Sequence, residues 1–134
     1  MSWEDCIGNE NVVKISPNEF KAESLIETAK GRMEFTRKPD EKNANYVFED
    51  YYTSLLEIIH ALAIKQGFKI KNHLCIGFYI RDFLKERRLF NLFDDVRYKR
   101  NSLVYYGKRM DFETCMDVIG KCKELIKWVL EELK

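Results

Sequence analysis

The sequence lacks several patterns that would identify common folds and sites. No segment alternates apolar and polar residues with a period of two, which argues against β-sheet. No stretch approaches the ~18 consecutive apolar residues of a membrane-spanning helix. There is also no internal repeat, no glycine-rich phosphate loop and no nucleophile motif. We therefore expect an all-α protein that does not enter a membrane.

Histidine and cysteine are too sparse and too scattered to suggest a metal site. The chain has two histidines, and neither has a cysteine or carboxylate beside it at ligand spacing, so we expect no metal and no cofactor. The four cysteines form no C-x-x-C pair, and three of them lie on apolar faces of predicted helices. We predict reduced core thiols in a cytoplasmic protein. The acidic N-terminal residues contain no apolar run, so no signal peptide is expected.

Charge is abundant, balanced overall and uneven along the chain. Charged residues make up 34% of the sequence, which fits a solvated helical surface and is common in heat-adapted proteins. The net charge of +1 argues against a strongly polyanionic partner for the chain as a whole. Residues 81–109, however, contain nine basic and four acidic side chains. This excess is either a solvated helix end or a phosphate-facing patch whose affinity falls with salt.

Helical periodicity and capping residues divide the chain into about five helices. Ser16, Pro17 and Glu19 form a capping box at the first helix, with Ile15 and Phe20 spaced as a hydrophobic staple. Short links favour an up-and-down antiparallel bundle. We predict a single domain over residues 15–134, preceded by a loose segment, residues 1–14. The other predicted helix boundaries are N-caps at Asn72 and Asp111 and helix ends at Pro39, Gly67 and Gly107.

Arg100 occupies an unusual position for a charged side chain. It lies on the apolar stripe of the fourth predicted helix, residues 89–106, between Val96 and Leu103. A charge there must be paired or must face a cleft. One interpretation is a buried ion pair with Glu49 or Asp50. The other is an anion site in a groove or at a subunit interface.

Three segments of the chain resemble the HEPN superfamily of small helical bundles. They are "EDYYTSLLEIIHALAIKQG", "KNHLCIGFYIRDFL" and "VRYKRNSLVYYG", and the resemblance extends over about residues 17–134. It implies a homodimer with a HEPN-like fold. Many members are metal-independent ribonucleases or toxins of toxin–antitoxin pairs, often encoded beside a small nucleotidyltransferase, so a nucleotidyltransferase partner is also implied.

The motif of this superfamily is incomplete in the chain. It consists of an Arg, a polar residue and, after four to six intervening residues, a His. Arg100 and Asn101 match its start, but Tyr105, Tyr106 and Gly107 stand where the His belongs. A His titrates near ~6.5 and a Tyr near ~10, so we expect weak or lost RNA cleavage. The tentative catalytic set is Arg100, Asn101 and Tyr105, and the binding candidates are His73, Arg97, Tyr106, Lys108 and Arg109.

Three functional interpretations remain open. In the first, a HEPN-like dimer that lacks a complete catalytic motif binds RNA, a nucleotide or a partner protein through a groove at Arg100. In the second, an active metal-independent ribonuclease or toxin uses Tyr105 or His73 in place of the missing His. In the third, the chain is a structural bundle in which Arg100 forms only an ion pair. His73 begins the third predicted helix and has either a capping role or a place in the groove.

Overall fold

The computed structural model describes residues 1–134 and confirms an all-α helical bundle. It has six α-helices where about five were expected, together with one π-helical turn and a small sheet. In chain order the elements are α1 (Trp3–Gly8), β1 (Val12–Lys14), α2 (Glu19–Phe35), α3 (Ala44–Lys65), β2 (Phe68–Ile70), α4 (His73–Phe78), the π-helical turn (Tyr79–Phe83), α5 (Arg87–Tyr106) and α6 (Phe112–Glu132).

The capping residues near the basic segment act as predicted. The Asn72 side chain accepts from the Cys75 N–H at 2.8 Å and caps α4. Asp111 accepts from the Thr114 N–H at 2.7 Å and caps α6. Gly107 ends α5 in the left-handed conformation, with φ of 62°, which glycine adopts without steric cost. These caps fix the start of α4, the end of α5 and the start of α6.

The start of α2 differs from the prediction. Asn18 caps the helix instead of Ser16, accepting from the Lys21 N–H at 3.0 Å. The helix begins later because the Ile15 N–H donates to the Gly67 carbonyl at 2.8 Å, which keeps the backbone before Asn18 extended. Phe20 is exposed, so the predicted hydrophobic staple does not form.

The core is built around α3, which α2 and α6 flank. α5 packs on α6 and α4. Helix α6 turns an apolar seam inward, since Cys115, Ile119, Cys122, Ile126 and Val129 are all buried. No helix combines the length and the apolar character that crossing a membrane requires.

The N-terminal segment is anchored to the bundle, in contrast to the loose segment that we expected. β1 pairs antiparallel with β2, with Val12 opposite Ile70. The buried Trp3 ring packs against Phe68 and Tyr79. The prediction of no sheet was therefore wrong, because strands of three residues are too short to show an alternating pattern.

The prediction of four reduced cysteines was also wrong. Cys6 of α1 and Cys75 of α4 form a disulfide across 69 positions of sequence. Cys115 and Cys122 are free and buried. The pairing depends on α1 folding back onto α4, which the spacing of the cysteines does not reveal. The disulfide joins the N-terminal segment to the part of the chain that carries His73.

Candidate anion-binding groove

A groove with a volume of about 350 Å³ runs between the start of α4 and the middle of α5. We call it the α4–α5 groove. Arg97, Asn101 and Tyr105 recur every four residues on α5, so they lie on one face of that helix. The opposite wall comes from the segment that joins β2 to α4 and from the first residues of α4. The full lining is Lys71, Asn72, His73, Leu74, Arg97, Asn101 and Tyr105.

The structure places His73 in this groove, beside the incomplete motif on α5. Its Nδ1 lies 3.1 Å from the Tyr52 hydroxyl oxygen. Tyr52 is buried and makes no other side-chain hydrogen bond. Burial raises the pKa of Tyr52 well above its ordinary value, so the phenol keeps its proton. Because no other acceptor lies within reach of this hydroxyl, we assign the hydrogen bond as O–H donating to Nδ1. The imidazole proton is then on Nε2.

His73 is neutral at physiological pH. Burial lowers the pKa of His73, and the nearby positive charges of Arg100 and Arg97 lower it further. A neutral ring with its proton on Nε2 donates one hydrogen bond from that nitrogen. It has no free lone pair at Nε2 with which to accept a proton.

Arg97 is the guanidinium that lines the groove. Its Nη2 donates to the Asp94 carboxylate at 2.9 Å, which holds the side chain along α5. Its Nε is buried and has no hydrogen-bond partner. An unsatisfied buried donor is uncommon in folded proteins. The fold supplies no acceptor for this N–H, and an anion in the groove would reach it only after the side chain moves.

Arg100 lies behind the groove and does not line it. It is half-buried, with its guanidinium carbon 5.5 Å from the centroid of the Tyr52 ring. The predicted ion pair with Glu49 or Asp50 is absent, and Asp50 accepts a hydrogen bond from Thr36 instead. The apolar stripe of α5 brings Arg100 onto an aromatic face of α3, where a cation–π contact replaces the ion pair.

The other predicted binding residues do not gather at this groove. Lys108 and Arg109 line a separate depression of about 270 Å³ with Tyr98, between α5 and the start of α6. Tyr106 is exposed and lines neither. Sequence reasoning missed Lys71, although its place just before the Asn72 cap is a usable signal. The predicted set is therefore divided between two surfaces on neighbouring faces of α5, and Tyr106 belongs to neither.

The chemistry of the α4–α5 groove suits an anion. Its polar lining offers an ammonium, a guanidinium, an imidazole N–H, two amides and a phenol, and no carboxylate lines it. Hydrogen bonds from charged donors to phosphate or carboxylate are the strong ones in proteins. No protein-family model, curated protein or solved structure shows significant similarity to the chain. Its ligand must therefore be inferred from the groove itself.

Proposed function

We propose that the chain is a HEPN-like homodimeric module that binds the phosphate backbone of RNA in the α4–α5 groove. One observation carries this proposal: two helices bring His73, Arg97 and Asn101 together in a cavity without a carboxylate. Arg97 supplies a fixed charge for a phosphate oxygen, and His73 and Asn101 supply neutral donors that orient it.

RNA is favoured over a small anion because of the surface around the groove. Tyr105 lines the groove and is exposed, so its ring is free to stack on a base next to the bound phosphate. On the neighbouring face of α5, the depression with Lys108, Arg109 and the exposed Tyr98 adds further cations and another ring. Alternating cations and aromatic rings are the pattern with which proteins hold single strands.

The affinity for labelled single-stranded RNA, measured by fluorescence anisotropy at several salt concentrations, tests the proposal. We expect binding that weakens as salt rises, because phosphate contacts release counterions. A mononucleotide that binds as tightly as a decamer would favour a nucleotide ligand instead. Absence of binding to either would favour a partner protein or a purely structural bundle.

Binding of a phosphodiester is expected to strengthen as pH falls from 7 to 5. A bound phosphate raises the lowered pKa of His73, so binding takes up a proton, and affinity rises by up to about tenfold per pH unit. A dinucleotide is a suitable probe, since its phosphodiester does not titrate in this range. His73→Gln keeps a donor but cannot titrate, and should flatten the pH profile. An unchanged profile in His73→Gln would place the titrating group elsewhere.

A second candidate function is metal-independent RNA cleavage, because His73 occupies the groove where the motif lacks its own His. In that case the chain would be the toxin of a pair with a nucleotidyltransferase partner. The proton on Nε2 leaves that nitrogen able to donate but not to accept, and a phenol is a weak base at neutral pH. We therefore rank cleavage below binding.

Cleavage of single-stranded RNA without metal is expected to be slow or absent, and Tyr105→His should increase it. A positioned imidazole adds about 10² to 10⁴ in rate when the geometry is right. Products are followed by gel electrophoresis, with Arg97→Ala in both backgrounds as the control for contaminating nuclease. Robust cleavage by the unmodified chain that His73→Ala abolishes would reverse our ranking.

A homodimer is the expected oligomeric state. The end of α5 exposes Val104 and Tyr106, which line neither the groove nor the neighbouring depression and which the monomer leaves uncovered. Sedimentation at micromolar concentration should show a dimer, and Val104→Glu should dissociate it. A 16.0 kDa species for the unmodified chain would contradict the dimer.

We also propose that the protein works in the cytoplasm of a heat-adapted cell. The Cys6–Cys75 disulfide is compatible with such a cytoplasm, because intracellular proteins of hyperthermophiles commonly carry disulfides. The charged fraction of 34% points in the same direction.

A further inference from the structure

A second cavity, of about 370 Å³, lies between the end of α2 and the start of α3. We call it the α2–α3 cavity and propose that it binds a nucleotide whose base carries an exocyclic amino group. This site does not depend on the α4–α5 groove, and it uses none of the residues that line the groove. Its lining is Phe35, Thr36, Arg37, Asn43, Tyr46, Val47 and Asp50.

Two aromatic rings line this cavity and are largely exposed to solvent. Phe35 is 84% exposed and Tyr46 is 61% exposed. Planar rings at the edge of a cavity offer stacking surfaces to a nucleobase, and every base has a π-face that such rings accept. The rings thus favour a flat aromatic ligand over a simple anion.

Tyr46 is held in place by Arg109, which does not line the cavity. The Arg109 guanidinium carbon lies 5.4 Å from its ring centroid. The turn that carries Arg109 is fixed on α3, because Asn45 donates to the Met110 carbonyl and accepts from the Met110 N–H, both at 3.0 Å. A ring fixed in this way loses little conformational freedom when a base stacks on it.

The polar groups of the cavity match an amino-bearing base and a phosphate. Asp50 accepts from the Thr36 hydroxyl at Oδ2, while its Oδ1 has no partner. That oxygen is free to accept from the amino group of adenine, cytosine or guanine, which uracil lacks. Arg37 forms no ion pair, so its guanidinium remains available to a phosphate.

Isothermal titration calorimetry with AMP and UMP tests this site. We expect AMP to bind the unmodified chain, and to bind Phe35→Ala and Tyr46→Ala about tenfold more weakly. UMP should bind several-fold more weakly than AMP. Phe20→Ala is the matched control, because Phe20 is 86% exposed at the opposite end of α2 and its removal should leave AMP binding unchanged.

Arg97→Ala separates this site from the α4–α5 groove and should also leave AMP binding unchanged. Melting curves of each variant should match the unmodified chain, since both rings are exposed. The proposal is overturned if millimolar AMP gives no binding heat, or if Phe35→Ala binds AMP normally. It is equally overturned if UMP binds as well as AMP, or if Arg97→Ala abolishes AMP binding.

Discussion

Loss of the Cys6–Cys75 disulfide is expected to lower the free energy of unfolding by about 4 kcal/mol. The bond joins residues 69 positions apart, and closing so long a loop removes much of the conformational entropy of the unfolded chain. The rest of the N-terminal segment has modest anchors. They include the Trp3 N–H, which donates to Asp82 at 2.9 Å, and a ladder of three residue pairs with β2.

Thermal melting with and without a dithiol reductant measures this effect. For a domain of this size, the expected loss corresponds to a decrease in Tm on the order of 10 °C. The double variant Cys6→Ser, Cys75→Ser should melt at the lower temperature under both conditions. Alkylation of the unfolded, unreduced chain should modify only Cys115 and Cys122. Modification of all four cysteines, or a Tm that reductant does not change, would contradict the disulfide.

Arg97→Ala is expected to weaken binding of single-stranded RNA by about 10- to 100-fold. Hydrogen bonds to charged groups are worth about 1.5 to 3 kcal/mol, and this substitution removes the groove's only guanidinium. It also removes one phosphate contact, so the slope of log affinity against log salt should fall by about one. Anisotropy titrations at several salt concentrations give both quantities.

Two arginines on the same helix provide matched controls for Arg97. Arg88 lies more than two turns away on α5 and pairs with Glu124, so Arg88→Ala should change RNA binding little. Arg100→Ala should have a smaller effect than Arg97→Ala, because Arg100 packs on Tyr52 and does not line the groove. Equal losses in all three variants would indicate only a diffuse electrostatic attraction.

The helices were largely predictable, and the N-terminal segment was not. The caps at Asn72 and Asp111 and the stop at Gly107 are local signals, because each involves only neighbouring backbone groups. The two-stranded sheet and the disulfide depend on long-range contacts. β1 and β2 are too short to show a period, and Cys6 meets Cys75 only after α1 has folded back.

Of the two walls of the candidate site, only the one formed by α5 could be predicted from the sequence. The spacing of Arg97, Asn101 and Tyr105 is visible in the sequence, since four-residue steps define one helical face. Periodicity put Arg100 on the buried stripe but could not show that Tyr52 would lie beneath it. His73 was a candidate from sequence. Its place opposite Asn101 follows from the packing of α4 on α5, which no local pattern encodes.

The ring signals of the two histidines in a ¹H–¹³C NMR spectrum test most directly whether RNA binds in the α4–α5 groove. His73 lines the groove and His60 does not, so His60 serves as a partial reference whose pKa responds to binding only through the charge on His73. On titration with a single-stranded RNA, we predict that the His73 signals shift and that its lowered pKa rises, while His60 changes much less. If RNA binds and the His73 signals do not move, the phosphate lies elsewhere and the proposed site is wrong.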